Sequence, residues 1–211
     1  MSFWNTQRQL HKDLSKESTI LKKAPMTIND YKILAEQAYL KSPSESIVDW
    51  KLIKHNKNNK MYQNRSTGEL VNAISGSKSL TDFANDGLQY LGFHNNTFQK
   101  KRFKDSEQFL KPFNTMKHKQ PLVLTSHSLG SNVANRLLLN GEADKSINFN
   151  AFIPDNRINI DDERVVNIRN RKDFASIKTR NNDNTIELNG GNYINAHFLD
   201  KIDSLNNNIY V

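Results

Sequence analysis

Residues 121–140 read PLVLTSHSLGSNVANRLLLN, and this stretch decides the fold. Pro121 leads into a short apolar run, Leu122, Val123, Leu124 and Thr125, which reads as a buried strand. The run gives way abruptly to Ser126-His127-Ser128-Leu129-Gly130. Beyond it, Val133, Ala134, Leu137 and Leu138 recur at helical spacing until Asn140-Gly141, a C-terminal stop. The pattern predicts a strand, a tight turn with Ser128 at its apex, and a helix. Such a turn strains the apex residue and exposes its hydroxyl, so the residues two before and two after it must be small. Ser126 and Gly130 are small. The helix that follows aims its free N–H groups at the space beside Ser128, where negative charge would be stabilised.

Upstream, Thr27 and Asp30 form a capping-box pattern, and Tyr31, Leu34, Ala35, Ala38 and Tyr39 lie on one face of an amphipathic helix that ends at Ser42-Pro43-Ser44. Residues 50–74 read as strands: 50–54, then a polar stretch at 55–60, then 61–63 and 70–74 flanking a hairpin turn at 64–68. The last runs straight into the small-residue turn Ser75-Gly76-Ser77-Lys78-Ser79. A helical segment with Leu80, Phe83, Ala84, Leu88 and Leu91 follows. Residues 98–113 form a basic and aromatic helix that Pro112 interrupts. Downstream of 121–140, residues 147–153 and 164–168 are candidate strands, 178–192 a polar Asn-rich loop, and His197, Phe198, Ile202 and Leu205 the start of a last helix. Strands alternating with helices imply an α/β fold with a mostly parallel central sheet flanked by helices. The basic runs 100–104 and 169–172 read as solvated faces, and residues 1–26 as a peripheral arm or helix.

The chain has 211 residues, a length that suits a single domain with its core over about 30–205. It contains no cysteine, which excludes disulfides, thiolate catalysis and thiolate metal sites. No apolar run approaches the roughly 20 residues of a membrane span, and the N-terminus lacks the apolar core of a signal peptide. The sequence therefore predicts a protein without membrane segments, cytoplasmic or packaged in a particle. A net charge of +8 suits an anionic partner, a phospholipid surface or a nucleic acid.

Four patches, in order, resemble class 3 (fungal-type) lipase domains of the α/β-hydrolase superfamily. TGELVNAISGSKSLTDFANDG (67–87) resembles the family's strand, its Arg-Gly-Thr/Ser oxyanion turn and the following helix. LTSHSLGSNVA (124–134) is similar to the Gly-His-Ser-Leu-Gly-Gly nucleophile elbow. RVVNIRNRKDFASI (164–177) is similar to the strand that ends in the acid of the triad, and NAHFLDKI (195–202) to the segment carrying the histidine. Three positions depart from the family. Ser75 replaces the oxyanion-turn arginine, which removes a structural ion pair, and Ser126 and Ser131 replace two elbow glycines, one small residue for another.

The resemblance implies a serine hydrolase whose triad runs nucleophile, acid, histidine along the chain. Only His197 follows Ser128, so it is the histidine. Asp155, Asp161, Asp162, Glu163, Asp173 and Asp183 lie between them; Asp173, just past a core strand, fits best, with Asp155 the fallback. The implied oxyanion hole is formed by Leu129 and Ser77, and Leu80, Phe83 and Leu88 are expected in a lid or acyl-binding wall. The chemistry requires no cofactor and no metal. The expected partner is a lipid ester at a membrane or lipid–water interface, anionic in character.

Each residue also has a plainer reading. Ser128 suits a helix N-cap, His197 a satisfied core histidine, Asp173 a surface turn, and Leu80, Phe83 and Leu88 the core. His127 reads as packing behind the nucleophile rather than as a proton carrier. Two other function classes compete with the esterase: a non-catalytic lipase-like domain that binds lipid or a protein partner, and a basic nucleic-acid-binding protein. The latter is not expected, because no recognition module is present.

Overall fold

The computed structural model describes residues 26–77, 97–114, 120–154, 158, 161–189 and 196–202. The arm at 1–25, the lid segment with Leu80, Phe83 and Leu88, and the fallback acid Asp155 lie outside the described residues. Among those residues eight strands form one sheet in sequential order: β1 (Ser46–Ile47), β2 (Trp50–His55), β3 (Asn59–Asn64), β4 (Leu70–Ile74), β5 (Leu122–His127), β6 (Lys145–Phe149), β7 (Val165–Asn170) and β8 (Thr185–Leu188). The first four make an antiparallel meander, and β4 through β8 are parallel. This is the α/β architecture with a mostly parallel sheet that the alternation of patterns predicts.

Among the described residues three α-helices cover the sheet: α1 (Ile28–Gln37), α2 (Thr97–Leu110) and α3 (Gly130–Leu139). Thr27 and Asp30 do close a capping box at the start of α1, the Asp30 carboxylate accepting from the Thr27 N–H at 2.9 Å. On one face of the sheet α1 packs with Val71, Ala73, Val123, Ile147, Phe149 and Ile168. On the other, α2 and α3 pack with Leu70, Ile74, Leu122, Leu124 and Val165. Alternate residues of β5 thus enter opposite cores, and its uninterrupted apolar run follows from burial on both sides.

Several expected elements differ. The Asn-rich loop at 178–192 contains β8, the last strand of the sheet. Its four residues are half-buried, with Ile186 and Leu188 packed against the α1-side core. The strand placed at 147–153 runs from Lys145 to Phe149 and stops where Asn150 adopts φ of 44°. From His197 the described chain makes only a 3-10 turn, Leu199–Lys201. The solvated-face reading of 100–104 and 169–172 fails for Arg102 and Arg169, both buried. Neither departs from the local pattern; each is drawn inward by partners far along the chain.

Candidate active site

Five parallel strands bring their C-terminal ends to one edge of the sheet, the place where open α/β sheets carry their sites. Ser128 leaves the end of β5 with φ of 56°, one of few non-glycine residues in the left-handed region. The register holds it there. Its N–H donates to Phe149 O at the end of β6 (3.1 Å), and its carbonyl accepts from Ser131 and Phe152.

The need for small neighbours now has named contacts. A Cβ on Gly130 would lie 2.6 Å from Ile74 O and 2.9 Å from Ser75 O, so the first turn of α3 rides directly on the end of β4. At the other flank, Ser126 is fully buried behind the turn, its Oγ 2.9 Å from Ser131 Oγ and 2.6 Å from Asn148 Oδ1. Asn148 donates onward to Asn135 and Asn167. The two serines that stand where elbow glycines were expected therefore bond each other across the turn, within a polar layer shared by α3, β6 and β7.

His197 and Asp173 reach Ser128 from two separate loops. His197 Nε2 is 2.7 Å from Ser128 Oγ, and its Nδ1 is 3.0 Å from Asp173 Oδ1. With Nδ1–H donating to the carboxylate, Nε2 is left to accept from the serine hydroxyl. The His197 side chain keeps 16% of its surface exposed, while those of Asp173 and Ser128 are almost wholly covered. Burial pushes the Asp173 carboxyl up, but the hydrogen bond and charge of His197, with donors from Ser176 and Ala175, outweigh it and hold the group below its ordinary value. An imidazole placed in this way can take a proton from the hydroxyl while the carboxylate stabilises the cation that results.

The acid loop is fixed from beneath by Arg169 of β7. Its guanidinium donates to the Asp173 carbonyl (3.0 Å) and to Ser176 Oγ (3.2 Å), and it pairs with Glu187 of β8. The overlooked edge strand thus supplies the counter-ion that lets a buried arginine hold the loop. The histidine loop is fixed by Asn150, whose Nδ2 donates to the carbonyls of Ala196 and His197 (3.0 Å each) while its Oδ1 accepts from the Asn170 N–H (2.7 Å).

His127 ties the two sides together. The Gly76 N–H donates to Tyr39 Oη at 2.9 Å, and the tyrosine hydroxyl donates to His127 Nδ1 at 2.6 Å, because the His197 carbonyl at the other ring nitrogen can only accept. The remaining proton of His127 is then on Nε2, donating to the His197 carbonyl at 2.7 Å. Burial, together with the neighbouring His197, lowers the His127 pKa to about 3, so the ring is neutral. It packs behind Ser128, in line with the sequence expectation, and it also carries a bond to each flank. Tyr39, Arg102, Asn150 and Arg169 were not signalled by the sequence, since each contacts the site only through chain folding. The only local hint was their chemistry within stretches otherwise read as amphipathic helix, solvated face or strand end.

Of the expected oxyanion residues, Leu129 is the buried first residue after the serine, at the start of α3, and the 75–77 turn packs against it all. A Cβ on Gly76 would lie 2.6 Å from His127 O and 2.9 Å from Ser128 Cβ. Ser77 follows directly. Among the described residues no group of His, Asp and Glu is arranged to hold a metal ion.

A mostly parallel sheet, helices on both faces and a strained serine on the turn after β5 define an α/β-hydrolase fold. Comparison with solved structures gives a lipase-like fold: the chain is similar to the crystal structure of Lip2 lipase from Yarrowia lipolytica, with a TM-score of 0.50 and 14% identity over 71% of this chain and 73% of that one. At that identity the likeness is one of fold. No protein-family model and no curated protein matches the chain.

Proposed function

We propose that the protein is a serine esterase that hydrolyses carboxylic esters of lipids, of the triacylglycerol lipase or phospholipase type. The observation that carries this reading is the unbroken line from Ser128 Oγ to His197 Nε2 (2.7 Å) and from His197 Nδ1 to Asp173 Oδ1 (3.0 Å). Ser128 Oγ attacks the ester carbonyl and forms the acyl–oxygen bond as its proton passes to His197 Nε2. His197 returns that proton to the departing alcohol as the ester C–O bond breaks. Water, deprotonated in turn by His197, attacks the acyl carbonyl, and His197 returns the proton to Ser128 Oγ as the acyl–oxygen bond breaks and the fatty acid leaves. Asp173 keeps the imidazole in the required tautomer, and the N–H groups of Leu129 and Ser77 hold the oxyanion.

The surroundings of the site favour a lipid surface. Phe174, next to Asp173, is 67% exposed, Ile177 one turn on is 53% exposed, and Phe198 follows His197 with 37% exposed. Arg171, Lys172 and Arg180 are exposed on the same segment as Phe174 and Ile177. Apolar tips among cations suit an anionic interface, where each well-placed cation contributes about 1 kcal/mol. Among the described residues no helix is long and apolar enough to cross a membrane.

The test is hydrolysis of p-nitrophenyl esters of short to long acyl chain by wild type and Ser128→Ala. The expected loss is about 10⁴-fold or more in kcat. A folded wild type no faster than the variant on any ester, emulsified lipid and phospholipid included, would overturn the esterase reading in favour of a binding domain.

A further inference from the structure

Arg102 lies in α2 between Lys101 and Lys104, both at the surface, yet its own side chain is 5% exposed. Its Nη2 donates to the main-chain carbonyl of Ser75 and, at 3.4 Å, to that of Gly76. These two carbonyls belong to consecutive peptide units of the turn that packs against Ser128. In a trans peptide the C=O and the following N–H share a plane and point in opposite directions. A cation holding the Gly76 carbonyl therefore sets the direction of the Ser77 N–H. From the opposite side, Tyr39 Oη accepts from the Gly76 N–H, so the first peptide unit is gripped at both ends.

We propose that Arg102 is a positioning residue for the oxyanion hole, acting through the 75–77 main chain to hold the Ser77 N–H where negative charge develops. The inference rests on the esterase reading. It also accounts for Ser75, where an arginine was expected from the resemblance. Here the guanidinium arrives from α2, 26 residues beyond Gly76, and grips the turn by its carbonyls. Arginine suits the task because Nη2 carries two N–H groups in directions fixed by the guanidinium plane, enough for both carbonyls, whereas the lysine ammonium is a rotating point on a flexible stem. Oxyanion stabilisation depends on donors aimed beforehand, so a turn free to rotate its peptide planes loses rate without losing substrate affinity.

Arg102→Met and Arg102→Lys are compared with wild type on a soluble short-chain p-nitrophenyl ester, reading kcat and KM separately. The rate of Ser128 labelling by a fluorophosphonate and the Tm of each protein are read alongside. The expected result is a fall of about 10²-fold in kcat for Arg102→Met, the size seen when an oxyanion donor is lost, with KM within about twofold. Arg102→Lys should recover part of that loss. If Arg102→Met does not fold, Arg102→Lys and Tyr39→Phe carry the same kcat-against-KM comparison. An active wild type whose folded Arg102 variants keep full kcat would overturn the positioning role and leave the esterase reading intact. A wild type that hydrolyses no ester and takes no label at Ser128 would overturn both.

Discussion

Replacing His127 with asparagine tests how the site is held, because the buried imidazole stays neutral at a cost that rises as the pH falls. Its folded pKa of about 3 lies far below the ordinary 6.5, chiefly through burial and then through the neighbouring His197. The groups that face it are Tyr39, His197 and, more distantly, Asp173. A depressed folded pKa means that the unfolded chain binds the extra proton first. The stability His127 contributes is therefore complete above pH 6.5 and is lost as the pH falls from 6.5 towards 3. Near the middle of that window the slope approaches about 1.4 kcal/mol per pH unit, and by pH 4 the loss reaches about 3 kcal/mol. For a chain of this size that corresponds to a Tm lower by about 6–12 °C. The assay is urea unfolding of wild type and His127→Asn between pH 8 and pH 4. At pH 8 the variant is the weaker protein, having lost its bonds to Tyr39 and to the His197 carbonyl. The gap should then narrow on acidification by about 3 kcal/mol. Asp173 stays the same in both proteins, and its lowered pKa puts its own loss below the ordinary 3.8, beneath the pH 4 limit of the assay. Parallel stability–pH curves for the two proteins would refute the argument for a buried neutral imidazole.

Two further substitutions probe the elbow and the histidine loop. Gly130→Ala drives a methyl to within 2.6 Å of Ile74 O and should cost on the order of 3 kcal/mol, whereas Gly141→Ala meets open space and should cost about 1 kcal/mol from its φ of 77° alone. Thermal melts should show the first variant falling by the larger margin; equal shifts would mean that α3 does not ride on β4 as described. Asn150→Ala removes both N–H donors to the 196 and 197 carbonyls and the Oδ1 acceptor of the Asn170 N–H, and puts alanine, which tolerates φ of 44° less well than asparagine, in their place, for a total of about 4 kcal/mol. Asn150→Gly should recover about 1 kcal/mol of it in chemical denaturation, the share owed to backbone strain rather than to hydrogen bonding.

Much of the site was legible because its order along the chain is itself a constraint. The run from Leu122 to Thr125, the small residues beside Ser128 and the helical spacing after it are local patterns, and β5 and α3 follow them closely. Only one histidine lies downstream of Ser128, so chain order alone leads to His197, and Asp173 stands out by following a strand. β8 was hidden because four half-buried residues in an Asn-rich stretch carry too little period to read. The last helix was expected from Phe198, Ile202 and Leu205; Leu205 lies outside the described residues, and within them Asn150 ties the carbonyls of Ala196 and His197 and the chain turns once at Leu199–Lys201.

By itself, then, the sequence determined the strand–turn–helix at 121–140 and the alternation that makes a parallel sheet, and its order narrowed the residues expected at the sheet edge to Ser128, His197 and one acid, Asp173 ahead of Asp155. Tertiary structure alone decided what holds them. Arg102 and Lys101 are neighbours of the same charge, and one is buried because the 75–77 turn offers it carbonyls while the other faces water. Arg169 is buried because β8 brings Glu187 to it. Tyr39 and His127 link segments 88 residues apart. Such contacts leave no period or spacing in the chain, since they depend on the sheet bringing distant segments together at one edge.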